Sequence, residues 1–249
     1  MTTAQMIGAT QKDQILQDSI DQNRHLVLTV HGTRGWRTFK SAFEGGSAAA
    51  GHVQVKTPSV EAGGAFQVPG RDEAIGVTFR LGHKKCMFGT RMASSQARTE
   101  RALCLFWPDH LQQLQRRVYE RVRPMKETVI PVRFWRDGEP RANSVEARNV
   151  RHGQLEDLSV GGMRVKTANP SEIEDGQTYR CVFAPKPGKP SFILDALVRH
   201  HEDAEQGRAS IGFQFVGLEA TPEGRRSLER LARTVSQLQR ARSRNRRRV

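Results

Sequence analysis

The feature that most restricts the fold of this chain is a repeated pattern of short segments rich in β-branched and aromatic residues, each bounded by turn formers. One run comprises residues 25–30, 36–43, 53–55, 75–81, 86–90 and 102–107; a second comprises 129–135, 146–150, 162–167, 178–184, 192–200 and 209–215. Segments of this length and composition read as strands. The Gly/Ala/Ser-rich stretches 44–51 and 58–70 read as turns and surface loops. Two sets of short strands without long intervening helices predict a mainly β protein built from two small β-barrels joined near residue 115. A single larger β-domain is the alternative, and 249 residues suffice for either.

Three helices are expected around these strands. Ile15, Leu16 and Ile20 form one stripe in residues 10–24, and Leu111, Leu114 and Val118 form another between Pro108 and Val122, closed by Pro124. Thr221, Pro222 and Glu223 supply an N-cap, a first-turn proline and a first-turn acid ahead of Leu228, Leu231, Val235 and Leu238. A C-terminal helix over 222–239 follows from that pattern. Residues 240–249 have almost nothing apolar to bury and are expected to be an unfolded, basic tail.

The formal net charge of +14 points to an anionic partner, but its distribution matters more than its size. Ten arginines and one acid, Glu229, lie in residues 225–249, so most of the excess belongs to the C-terminal segment. That segment reads either as a solubilising tail or as a contact for nucleic acid or an acidic membrane surface. No apolar run approaches the ~20 residues needed to span a bilayer, and residues 1–14 lack the basic and apolar regions of a signal peptide, so a cytoplasmic protein is expected. Cys86, Cys104 and Cys181 lack CxxC spacing, which argues for reduced thiols rather than disulfides or a zinc site.

Catalytic patterns do not emerge. No glycine-rich phosphate loop stands between a strand and a helix, and HExxH and GxSxG are missing. His200 and His201 are neighbours in a strand segment and point to opposite faces, so they do not chelate one ion. A protein that acts by binding, with no cofactor or metal, is the economical expectation.

The informative residues flank the joint. Arg117 and Arg121 form an RxxxR pair, and Asp157, Ser159 and Gly162 form a [DN]xSxxG pattern downstream; Gly212-Phe213-Gln214-Phe215 closes the second strand run. This combination resembles the PilZ family of cyclic di-GMP receptors. Trp107-Pro108 followed by Gln115-Arg116-Arg117 is similar to the junction of the flagellar-brake type, in which a split β-barrel precedes the PilZ barrel. The resemblance implies a split barrel at 1–106, an arginine-bearing linker at 107–124 and a PilZ barrel at 125–220, followed by the helix at 221–239 and the tail at 240–249. It also implies cyclic di-GMP as ligand, a switch that reorients the two barrels, and control of a protein partner in motility or biofilm behaviour. The flagellar motor, with association at the basal body, is the partner of that type.

The residue chemistry suits such a ligand. Arginine offers a planar fork that grips phosphate, bonds to guanine O6 and N7 and stacks on a base. An Asp157 carboxylate can accept from guanine N1–H and N2–H, Ser159 adds a hydroxyl, and Gly162 lets backbone approach the ligand or supplies a positive φ. The same residues also fit a plain structural account: Asp-x-Ser bonding to its own backbone, and Gly161-Gly162 forming a bulge. Arg116 either stacks on a base of a second, intercalated cyclic di-GMP or is a solvated arginine, and Arg123 either contacts a phosphate or pairs with an acid. Two rival readings remain: a sequence-tolerant nucleic-acid-binding protein that uses the basic tail, and, on fold analogy alone, a flavin-dependent enzyme using the N-terminal barrel.

Overall fold

The computed structural model describes residues 4–32, 35–58, 66–93, 102–115, 121–125, 128–136, 150–168, 173–186, 188–204 and 208–246. They fold into a mainly β protein that divides into two compact units, one of residues 1–116 with 217–226 and the other of residues 117–216 with 227–249.

The first unit contains β1 (Ala4–Met6), α1 (Ala9–Asp21), β2 (His25–Gly32), β3 (Gly35–Ser47), β4 (His52–Lys56), β5 (Ile75–Leu81), β6 (Lys84–Thr90), β7 (Ala102–Phe106) and β8 (Gln112–Gln115). The strands form one antiparallel sheet in the order β1-β8-β6-β5-β2-β3-β4-β7. Its far edge curls back. The Phe106 N–H donates to Arg91 O (3.0 Å) and the Ala93 N–H to Cys104 O (2.9 Å), joining β7 to the residues just after β6. In place of the expected first barrel stands an eight-stranded sheet in which β7 is bridged to the residues after β6, with β8 and β1 outside that seam. Inside it, Phe43, Val53, Val55, Val77, Phe79, Phe88 and Leu105 are buried, and α1 adds Leu16 and Ile20 to the same core. Its Asp13 accepts the Trp107 indole N–H at 2.8 Å and its Lys12 ammonium donates to Pro108 O at 2.8 Å, which fixes the helix to the segment leaving β7.

The segment 108–122, expected to be helical, departs from that expectation. Residues 112–115 are strand β8, paired with both β1 and β6, and residues 116–120 lie outside the described residues. The edge of β6 would otherwise present unpaired N–H and C=O groups, and a strand that pairs on both sides answers this need better than a helix. Spacing of Leu111 and Leu114 fits either outcome, so tertiary pairing decided it.

The second unit is a closed six-stranded barrel of β9 (Pro131–Arg136), β10 (Arg151–Ser159), β11 (Gly162–Thr167), β12 (Thr178–Phe183), β13 (Phe192–Ala204) and β14 (Arg208–Phe215), in the order β10-β11-β14-β13-β12-β9. Phe134, Tyr179 and Phe213 meet edge-on inside it, with ring centroids 5.3 to 6.1 Å apart. Of the strand expected at 146–150, residues 146–149 lie outside the described residues and Val150 is not in a strand; β10 starts at Arg151.

Helix α2 (Pro222–Arg246) runs past its expected end at residue 239, so the tail expected to be unfolded from residue 240 is helical through 246. Arginine, glutamine and alanine are good helix formers and no glycine or proline follows Gly224 to stop the helix. Residues 217–226, expected to belong to the second barrel and its helix, pack instead within the first unit. The reason is a pair of glycines. Gly76 and Gly89 face each other across β5 and β6, leaving a depression that Glu219 and its neighbour fill: a Cβ on Gly76 would lie 2.5 Å from Glu219 Cγ, and one on Gly89 2.7 Å from Glu219 O and 2.9 Å from Ala220 O. Gly217, at φ +74, lies against the Trp36 ring in the same way. Replacing Gly89 by alanine forces backbone apart and is expected to destabilise the protein by about 1–3 kcal/mol in a urea titration; an unchanged midpoint would contradict this packing.

Candidate functional site

Strand β10 carries a bulge that decides which of its side chains face outward. Leu155 pairs with Val165, yet the next pair is Asp157 with Arg164, so Glu156 is the extra residue. Before the bulge Leu155 points into the barrel; after it Leu158 does, opposite Met163, and both are buried. Side chains alternate along a strand. Asp157 and Ser159 therefore fall on the outer face with Gly162 and Arg164 of β11. Glu156 accepts a hydrogen bond from the Ser210 hydroxyl at 2.5 Å instead of meeting Arg164.

The segment preceding the barrel is fastened beside this face. The Val122 N–H donates to Leu158 O (2.8 Å) and the Leu158 N–H to Val122 O (2.9 Å), a two-way bridge that buries Val122. Alternation then turns Arg121 and Arg123 outward, and both are exposed. Arg121 Nε lies 3.7 Å from Asp157 Oδ1, and Arg164 Nε lies 3.6 Å from Asp157 Oδ2. These separations allow charge attraction but are too long for hydrogen bonds. Asp157 is only 8% exposed at its side chain, against 46% for Arg121, and its Oδ1 is buried with no hydrogen-bond partner among the described residues. Burial pushes the Asp157 carboxyl above its ordinary value; Arg121, Arg164 and Arg123 pull it down without overcoming that, and Glu156 adds to the upward push.

Of the residues singled out in the sequence, Arg121 and Asp157 meet directly, and Arg123 adds positive charge beside them. Arg116 and Arg117 lie outside the described residues. The Ser159 hydroxyl donates to Gly162 O at 3.1 Å across the two-residue turn between β10 and β11. Gly162 is not at positive φ. Its lack of a side chain answers a packing need, since a Cβ there would lie 2.1 Å from Phe213 O on the neighbouring strand. Gly161 offers its carbonyl to the Phe215 N–H at 3.0 Å, tying the turn to the closing strand.

Sequence reasoning missed Arg164. The available signal was its position two residues past Gly162, which in a strand returns it to the same face. It also did not anticipate the use of Gly212, which pairs with Arg164: the His200 ring covers it, 2.5 Å from where a Cβ would stand. Beside it the Arg199 Nε–H donates to Gln214 Oε1 at 2.6 Å. The side chain of His201 lies outside the description. Among the described residues no group of three or more His, Cys, Asp or Glu is arranged to hold a metal, and no helix is long and apolar enough to cross a membrane. The face therefore offers two guanidinium planes flanking a buried carboxylate oxygen that lacks a donor. Such an arrangement suits an anionic ligand that also carries N–H donors.

Residues 115–233 match the PilZ domain family, and no curated protein matches the sequence. Among solved structures, K. pneumonia MrkH in its apo state is similar with a TM-score of 0.51 and 13% identity, over 95% of this chain and 99% of that one. YcgR from Escherichia coli, solved in complex with c-di-GMP, is similar with a TM-score of 0.36 and 18% identity, over 93% of this chain and 92% of that one. The Bacillus subtilis inhibitor of motility MotI has a TM-score of 0.33 and 16% identity, over 85% of this chain and 95% of that one. At these identities the likeness to MrkH is one of fold.

A raised carboxyl has a definite consequence for stability. Between the ordinary carboxylate value and the raised one the folded chain binds more protons than the unfolded chain, so the contribution of Asp157 is present at acid pH and declines as pH rises through the raised value. Relative to Asp157→Asn, the wild type should gain stability as pH falls from about 7 to about 4.5. Urea midpoints of both proteins at the two pH values check this, and a difference that does not change with pH would contradict it.

Proposed function

From the premise that residues 115–233 are a PilZ domain, we propose that the protein is a cyclic di-GMP receptor that acts by binding rather than by catalysis. The observation that carries the reading is the buried, donor-less Oδ1 of Asp157 between Arg121 and Arg164. Guanine presents N1–H and N2–H side by side, and a carboxylate can accept both. The phosphates and the Hoogsteen edges take the guanidinium groups of Arg121 and Arg164, joined by Arg117 and Arg116 from the linker. Ser159, Gly161 and Gly162 shape the turn beneath the ligand and Arg123 adds to the positive field. Arg116 stacks on a second, intercalated molecule, giving two ligands per chain.

The arginine-bearing linker closes over the nucleotide, and that closure reorients the N-terminal barrel relative to the PilZ barrel. A protein partner reads that change in the control of motility or biofilm behaviour, with the flagellar motor as the candidate from the flagellar-brake resemblance. Support for this part comes from the linker's position between the strand sets in the sequence and from the fold likeness to apo MrkH over 95% of this chain.

Charge-assisted hydrogen bonds contribute about 1.5–3 kcal/mol each. Arg117→Ala and Arg164→Ala are each expected to weaken cyclic di-GMP at least about tenfold in calorimetry, and Arg116→Ala to reduce the stoichiometry from two to one. Wild-type affinity in Arg117→Ala would overturn the assignment. Because the ligand needs the ionised carboxylate, affinity falls as pH drops through the raised value of Asp157, and Asp157→Asn flattens that dependence.

A further inference from the structure

A second cationic site lies away from the Asp157 face. Helix α2 and the loop between β12 and β13 enclose a cavity of about 260 Å³ lined by Lys186, Lys189, Phe192, Arg230, Arg233 and Gln237 among others, and no carboxylate lines it. Pro185 and Pro190 flank the two lysines, and the Lys189 N–H donates to Lys186 O at 3.2 Å, a turn that holds both lysines on this short loop. Arg230 is built into the wall: its guanidinium lies 3.9 Å above the Phe192 ring and donates to Ser191 O at 2.6 Å, while its Nε is buried without a hydrogen-bond partner among the described residues. Arg233 is held loosely by Glu229, its Nε–H donating to the Glu229 carbonyl at 3.4 Å and its guanidinium 3.8 Å from the carboxylate.

The cavity is one end of a longer feature. At 100° per residue, Arg230, Arg233, Arg240 and Arg244 fall within about 80° of one another around α2 and extend over about 21 Å. Leu228, Leu231, Ala232 and Val235, all buried, occupy the opposite side of the helix. The arginine stripe therefore faces away from the packed face. Its length matches about six nucleotides along one strand of duplex DNA, at ~3.4 Å each. An acidic membrane is the poorer occupant. The exposed large apolar residues of the described chain are Met6, Phe106, Met125, Val129 and Ile193, none of them on α2, and a helix that lies in a bilayer surface needs apolar side chains to insert.

We propose that this cavity and stripe form a phosphate-backbone site for nucleic acid, bound without sequence preference. The basic segment that the sequence suggested as an unfolded tail is in this reading a rigid rod, with Lys186 and Lys189 adding a second row of cations beside it. The site is independent of the cyclic di-GMP reading.

Fluorescence anisotropy with a labelled mixed-sequence duplex of about 20 base pairs tests it. Lys186→Glu/Lys189→Glu and Arg240→Glu/Arg244→Glu alter exposed side chains. Each pair is expected to weaken binding at least about tenfold at about 0.1 M salt and to lower the slope of log K against log salt by roughly 1–2. Cyclic di-GMP affinity in both variants should stay at the wild-type value, so a failure of either site is read separately. No binding by the wild type, binding that both variants retain, or capture by phosphatidylglycerol vesicles in place of DNA would overturn the proposal.

Discussion

The bulge at Glu156 is the constraint on which the candidate site depends. In a regular ladder with no bulge, Glu156 would pair with Arg164 on the outer face and Asp157 would point into a barrel filled by Phe134, Tyr179 and Phe213. The bulge reverses the phase of β10 for its last three residues. That shift brings Asp157 beside Arg164, leaves Leu158 in the core, and presents the Leu158 backbone to Val122. The two-way bridge to Val122 then delivers Arg121. One inserted residue thus sets both the position of the acid and the attachment point of the segment that carries the cations.

The resulting electrostatics are unbalanced in a useful way. Asp157 has lost its water and has gained two guanidinium groups at 3.6 and 3.7 Å, a distance that moderates the burial cost but satisfies no hydrogen bond. A carboxylate held in that condition is a poor stabilising element, and its raised proton affinity reflects this. Groups whose environment opposes their ordinary charge concentrate at functional sites. The glycines of the motif answer a different need: Gly162 is there because β14 passes too close for a side chain, so its presence maintains the barrel and only through the barrel the site.

Much of this was legible in the linear chain. The strand segments follow from local composition, and the candidate arginines and acid from two short motifs, at residues 117–121 and 157–162. The departures share one cause. Residues 112–115 became a strand because β6 had an open edge, and residues 217–226 joined the first unit because Gly76 and Gly89, thirteen positions apart, face each other across a hairpin. Neither fact has a local signature. Arg164 was overlooked among 40 basic residues because its importance comes from a partner on another strand.

Residue type and spacing alone thus determined the mainly β class, the two strand sets and the strongly basic C-terminal segment, since each is a property of neighbours along the chain. Tertiary structure decided the phase of β10, the burial that raises the Asp157 carboxyl, the recruitment of Arg164 and the alignment of α2's arginines beside Lys186 and Lys189. Those depend on hydrogen-bond register and on which surfaces exclude water, and both are set only when distant segments come together.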